Sequence, residues 1–154
     1  MTPKTSSESA RTAQEAPNEY SYAALLGIET SDVFSVVKAV SEGLPYKALE
    51  ICSRNLKMTK EDLSVILGIP KRTLARRKLT QRLRPDESDR LLRLSRIVAM
   101  AVALFDGNNE AAREWLSSPQ YALGNATPLD FSSTDVGARA VETVIVRLEH
   151  GVPV

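Results

Sequence analysis

Met58-Thr59-Lys60-Glu61-Asp62-Leu63-Ser64-Val65-Ile66-Leu67-Gly68-Ile69-Pro70-Lys71-Arg72-Thr73-Leu74-Ala75-Arg76-Arg77-Lys78 carries two short helical periods separated by a glycine and a proline. Thr59 predicts an N-cap for a helix beginning at Lys60, with Asp62 standing where a capping box places its acid. Leu63, Ile66 and Leu67 recur three or four residues apart and so share one face of that helix. Gly68 permits a tight turn, Ile69 is placed to fill the angle between the helices, and Pro70 opens a second helix on which Leu74 continues the apolar spacing. An acidic helix, a tight turn and a basic helix follow one another within a short span.

Upstream, Pro45 suits the first turn of a helix with Ala48, Leu49, Cys52 and Leu56 as its apolar stripe. Before it, Ser31 predicts the N-cap of a helix bearing Val33, Phe34, Val36, Val37 and Val40 and stopping at Gly43. Residues 1–19 are rich in Ser, Thr, Ala and Glu without apolar periodicity; such a tail cannot bury enough surface to offset its ordering entropy and is expected to be disordered.

Downstream, Pro85 with Asp86, Glu87 and Asp89 marks the start of the longest helix, because the missing proline N–H costs nothing there and the acids complement the helix dipole. Leu91, Leu94, Val98, Ala101 and Phe105 are its stripe, flanked by Ile97 and Leu104, and Gly107 ends it. Asn109 is the expected cap of a shorter helix through Ala112, Trp115 and Leu116, which stops before Pro119; a loop with Gly124, Asn125 and Pro128 follows. Ser133 or Thr134 introduces a last helix with Gly137, Val141, Val144, Ile145 and Leu148 on one side, closed by Gly151 and Pro153. No segment sustains strand alternation, so the expected fold class is all-α, with a first domain over residues 20–84 and a second helical domain over residues 85–154.

The chain has 154 residues, 43% of them hydrophobic and 25% charged, which suits an ordinary globular protein of one or two small domains. Its most apolar run, Ile97 to Phe105, is too short to span a bilayer, and the N-terminus lacks a signal-peptide core, so the expected location is the cytoplasm. Cys52 is the single cysteine and His150 the single histidine, which excludes an internal disulfide, a zinc cluster and any dyad needing a second thiol or imidazole. Neither a phosphate-binding glycine loop nor a nucleophile with a base is present, so no catalytic residue, metal or cofactor is expected and an enzyme is disfavoured. Cys52 and Trp115 are read as core residues.

The net charge of +1 conceals an asymmetry. Residues 71–96 hold ten Lys and Arg against three acids, a net +7 that leaves the rest of the chain at −6. A polyanion within a Debye length, about 8–10 Å, would feel the local charge rather than the total. Residues 58–78 resemble a prokaryotic helix-turn-helix, in which the second helix lies in a major groove about 12 Å wide. On that reading Lys71, Arg72 and Thr73 hold the base-facing end and Arg76, Arg77 and Lys78 extend the cationic face toward phosphates; the alternative is a solvated helix face. Arg82 and Arg84 could extend the footprint or pair with Asp86, Glu87 or Asp89.

Four further stretches carry a more specific likeness: Glu87-Ser88-Asp89-Arg90-Leu91, Ala112-Arg113-Glu114-Trp115-Leu116, Thr127-Pro128-Leu129-Asp130, and Gly137-Ala138-Arg139-Ala140-Val141-Glu142 followed by Arg147-Leu148-Glu149-His150-Gly151. Their order and spacing resemble the Xre/MbcA/ParS antitoxin family, and with the helix-turn-helix in front the likeness covers roughly residues 44–154. The resemblance implies a type II antitoxin that neutralises a RES-domain toxin, an enzyme depleting NAD⁺. It further implies a homodimer that binds operator DNA to repress its own operon and covers the toxin's active-site entrance with its C-terminal region. Gly137, Ala138, Arg139, Glu142, Arg147, Glu149, His150, Gly151, Val152, Pro153 and Val154 are the positions it offers for toxin contact. The residues themselves leave alternatives open. Gly137 and Ala138 lower the profile of the last helix either for a partner or for packing within the chain, Arg139 and Glu142 lie three apart as a simple surface pair would, and His150 suits a helix C-terminus. A stand-alone regulator with a dimerising or ligand-sensing second half is the other reading.

Overall fold

Capping residues and apolar stripes produce eight α-helices among the described residues, which are 21–28 and 32–154 of this computed structural model. They are α1 (Val33–Glu42), α2 (Tyr46–Leu56), α3 (Lys60–Ile66), α4 (Lys71–Thr80), α5 (Pro85–Leu104), α6 (Asn109–Leu116), α7 (Pro128–Phe131) and α8 (Asp135–Glu149), with 3-10 turns at Ser21–Leu26 and Tyr121–Leu123. No strand forms among those residues, and the expected all-α class holds. The expected tail over residues 1–19 and the expected cap Ser31 lie outside the described residues.

The helix starts show which sequence signals acted. Thr59 caps α3, its hydroxyl accepting the Asp62 N–H at 3.0 Å, and Thr134 rather than Ser133 caps α8 by accepting the Gly137 N–H at 3.0 Å. Asp32 caps α1, its carboxylate accepting the Ser35 N–H at 2.9 Å and the Ser35 hydroxyl at 2.8 Å; those bonds, the backbone one foremost, hold the carboxyl below its ordinary value. The cap of α6 is Asn108, one residue before the expected Asn109, because Asp106 and Gly107 take positive φ to end α5 and leave Asn108 extended. Helix α7 stands where the sequence suggested a loop. Thr127 caps it through the Asp130 N–H at 3.1 Å, and four residues are too few for an apolar period to show.

Helix α5, with 20 residues, is the central element and packs against α1, α6, α8 and the N-terminal 3-10 turn. Leu91, Ile97 and Ala101 are fully buried along it and share one core with Leu116 of α6 and Val141 and Ile145 of α8. Full burial of each such Leu, Ile or Val side chain contributes about 1.5–3 kcal/mol. Helix α1 departs from expectation: Val36 is buried, yet Val33, Phe34 and Val37 are exposed, Phe34 to 83%. Its apolar residues span a broad face opposite Ser35, Lys38, Ser41 and Glu42, and the helix lies chiefly along α5, so only the part of that face at Val36 is buried.

A backbone clasp joins the start of α2 to the end of α4. Leu83 N–H donates to the Leu44 carbonyl at 2.8 Å and Tyr46 N–H to the Gln81 carbonyl at 3.0 Å. The buried Leu44 N–H donates to the Ser88 hydroxyl at 2.8 Å, which ties the same segment to the first turn of α5. A Cβ at Gly43 would sit 2.2 Å from the Leu83 carbonyl oxygen, so the clasp requires glycine there.

Candidate nucleic-acid interface and C-terminal surface

Helix α3, the turn at residues 67–70 and α4 have the order read from the sequence. Leu63, Ile66 and Leu67 are buried, and Ile69, 3% exposed, fills the angle between the two helices. Its N–H donates to the Ser64 carbonyl at 2.8 Å while Gly68, at φ +65°, donates to Val65, which fixes the turn. Leu74 is the buried residue of α4, so the opposite side of the helix faces solvent.

That outer side presents Arg72, Ala75, Arg76 and Leu79 at spacings of three, four and seven, all exposed, with Lys71 and Lys78 exposed beside them. Among the described residues none of Lys71, Arg72, Arg76 and Lys78 has an acidic partner, leaving four cationic heads free for an external anion. Thr73 is half-buried. Leu79, 86% exposed, is an apolar residue on this face that the charge pattern did not suggest.

Arg77 sits apart from the other five. Its Nε donates to both oxygens of Glu87 at 3.1 and 2.9 Å and its Nη2 to one of them at 3.1 Å, with the two side chains 12% and 5% exposed. The hydrogen bonds to Glu87 raise the guanidinium above its usual value. The sequence grouped Arg77 with the phosphate-facing cations; the structure turns it inward onto α5, because a buried Glu87 requires a charged partner.

The remaining cations of the basic region are also engaged inside the chain. Arg82 donates to the carbonyls of Glu42 and Gly43, at 3.2 and 2.9 Å, a use that neither sequence alternative foresaw. Arg84 lies 3.8 Å from Asp86, Arg90 3.4 Å from Asp86, Arg93 2.7 Å from Asp89, and Arg96 3.4 Å from Glu142. The net +7 read from the sequence therefore overstates what an approaching polyanion meets.

At the other end, Gly137 and Ala138 are buried by the chain itself. A Cβ at Gly137 would lie 1.7 Å from the Phe131 carbonyl oxygen, so the close approach is made by α7. Arg139 is exposed and donates to Asp135 at 2.9 Å, while Glu142 reaches across to Arg96; the two do not pair with each other. Arg147, Glu149 and His150 are exposed, and α8 ends with Gly151 N–H donating to Leu148 and Val152 N–H to Arg147. Val152, Pro153 and Val154 project past that turn, all exposed. Val136, 79% exposed, and Val146, 42% exposed, add apolar surface to α8 that the sequence reading missed, since it followed only the inward stripe.

Among the described residues no three His, Cys, Asp or Glu could share a metal ion. Cys52 is buried in the core, which pushes its thiol up to about 12 despite the neighbouring Ser95 hydroxyl. Trp115 is half-buried and packs against Phe105, with ring centroids 6.5 Å apart, in keeping with a core role. No helix among the described residues is long and apolar enough to cross a membrane.

Two family models match, one described as the antitoxin Xre-like helix-turn-helix domain over residues 35–96 and one as the antitoxin Xre/MbcA/ParS C-terminal toxin-binding domain over residues 100–151. A Yersinia enterocolitica protein named Antitoxin Xre is 33% identical over 128 residues, covering 82% of this chain and 86% of its own. The chain belongs to the Xre antitoxin family. A second Antitoxin Xre, from Photorhabdus laumondii, is 34% identical over 114 residues, or 73% of this chain and 77% of its own. One from Pseudomonas putida is 40% identical over 84 residues, spanning 54% of this chain and 52% of its own. In this antitoxin the helix-turn-helix match takes in most of α1, and the toxin-binding match begins inside α5 and ends at Gly151, so Val152, Pro153 and Val154 lie beyond it.

Proposed function

We propose that this chain is the antitoxin of a type II pair, which neutralises a RES-domain, NAD⁺-depleting toxin and represses its own operon. The observation that carries the reading is the outer face of α4, where Lys71, Arg72, Arg76 and Lys78 are free of internal partners on a chain whose other half matches a toxin-binding domain. Lys71, Arg72 and Thr73 face bases, and Arg76 and Lys78 neutralise phosphates; each good bidentate arginine contact to guanine discriminates by about 1–3 kcal/mol. The first domain, over residues 20–84, carries this role, and the second, over residues 85–154, holds the toxin.

On the toxin side the exposed residues of the set are the ones assigned contact: Arg139, Arg147, Glu149, His150, and the segment from Gly151 to Val154, which covers the active-site entrance. Gly137 and Ala138 support that surface from beneath, and Glu142 fixes α8 on α5 through Arg96. The chain acts in the cytoplasm as a homodimer that pairs two copies of α4 on an operator. None of these roles calls for catalysis.

Co-expression with the product of the adjacent reading frame is the test. A stable complex, relief of toxicity and preserved cellular NAD⁺ are expected; persistent toxicity without a complex would leave a stand-alone transcriptional regulator.

A further inference from the structure

The recognition helix is attached to the rest of the chain by little. Leu74 is its buried side chain, and beyond Leu74 the helix is held by the Arg77–Glu87 pair and by the backbone clasp that follows it. Glu87 is itself fixed, since one of its carboxylate oxygens also accepts the Arg84 N–H at 2.8 Å in the first turn of α5. Arg77 therefore joins the outer half of α4 to a rigid point on the longest helix by three hydrogen bonds of fixed geometry.

We propose that Arg77 is a positioning residue, which acts through Glu87 to set the angle at which α4 presents Arg72 and Arg76 and does not touch a phosphate. The inference rests on the reading of α4 as the DNA-contacting helix. The guanidinium is held by both oxygens of a buried carboxylate on a side chain only 12% exposed, so its charge is neutralised inside the chain, and an error of angle at this point is carried to the N-terminal end of the helix.

Lysine separates the two roles. A phosphate contact needs a point charge and survives Arg77→Lys, whereas a forked clamp does not. The full-length chain, with Arg77→Lys, Glu87→Gln, Arg77→Ala and Arg76→Ala variants, is titrated across salt concentrations against a duplex covering the region directly upstream of its own coding sequence. Amide hydrogen exchange is read in parallel on α4 and, as a folding control, on α8. Arg77→Lys and Glu87→Gln are expected to speed exchange over the outer half of α4 but not over α8, and to weaken duplex binding at least tenfold with the salt slope unchanged. Arg76→Ala should lower that slope by about one. The proposal is overturned if Arg77→Lys keeps wild-type affinity, if Arg77→Ala lowers the slope as Arg76→Ala does, or if α4 exchange is unchanged in both clamp variants. Should the wild-type chain bind no duplex, the reading of α4 fails; the clamp is then judged on exchange alone, faster exchange at α4 retaining it and unchanged exchange discarding it.

Discussion

Gly137→Ala is the substitution that separates packing within the chain from a partner's close approach. The added Cβ would stand 1.7 Å from the Phe131 carbonyl oxygen and 2.9 Å from its carbonyl carbon, and both atoms are backbone. Relief demands that the end of α7 withdraw by roughly 1.5–2 Å, a displacement of backbone of the kind that makes overpacked sites cost about 1–3 kcal/mol. Only Ser132, Ser133 and Thr134 separate α7 from α8, so the movement also strains the Thr134 cap, which contributes about 1 kcal/mol. Against this stands the helix-propensity gain of alanine over glycine, about 1 kcal/mol. The balance is a loss of about 2 kcal/mol, which for the whole chain of 154 residues unfolding around its one shared core lowers the Tm by roughly 4–8 °C. Thermal unfolding followed by circular dichroism reads this directly. An unchanged or higher Tm accompanied by loss of toxin capture would refute the reasoning, because it would mean that the small residue is kept for a partner.

Other perturbations act elsewhere in the chain. Arg72→Ala with Arg76→Ala should weaken operator binding, relax its sequence preference and lower its salt slope by about one, Arg76 being the phosphate contact of the two, while toxin capture persists, as read by binding titrations at several ionic strengths. Deleting His150 to Val154 should impair neutralisation in co-expression and leave the Tm nearly unchanged, since every one of these residues is exposed. Cys52, with its thiol pushed up to about 12, should resist disulfide-exchange reagents in the native protein and react on unfolding. Its titration has a definite sign: the unfolded thiol ionises near 9.0 and the buried one does not, so its contribution makes stability fall as pH rises above that value, a trend that Cys52→Ala should remove from an alkaline unfolding series.

Much of the architecture was legible in the sequence because its signals are local. Caps such as Thr59, stops such as Gly43, and stripes such as Leu91, Leu94 and Val98 depend on residues a turn or less apart, and they fell where expected. What stayed hidden depends on distance along the chain. Nothing local tells that Glu87 is buried and needs Arg77, that Arg82 reaches carbonyls forty residues upstream, or that Phe131 presses its carbonyl on Gly137. The solvent-facing valines of α1 show the converse failure. Apolar spacing alone cannot say how many neighbours a helix has, and α1 lacks enough of them to cover Phe34 and Val37. Charge counting erred for a related reason, since it treats a paired arginine and a free one alike.

The central claim, that one helical chain meets nucleic acid through α4 and another polypeptide through its far end, is tested most directly by hydrogen exchange on the full-length protein in three states: free, with the duplex from upstream of its coding sequence, and with the product of the adjacent reading frame. Protection over residues 71–79 on adding duplex, and over residues 139–154 on adding the protein, with neither ligand protecting the other's segment, is the predicted pattern. Protection of α4 by the protein partner, or of the C-terminal segment by the duplex alone, would contradict it.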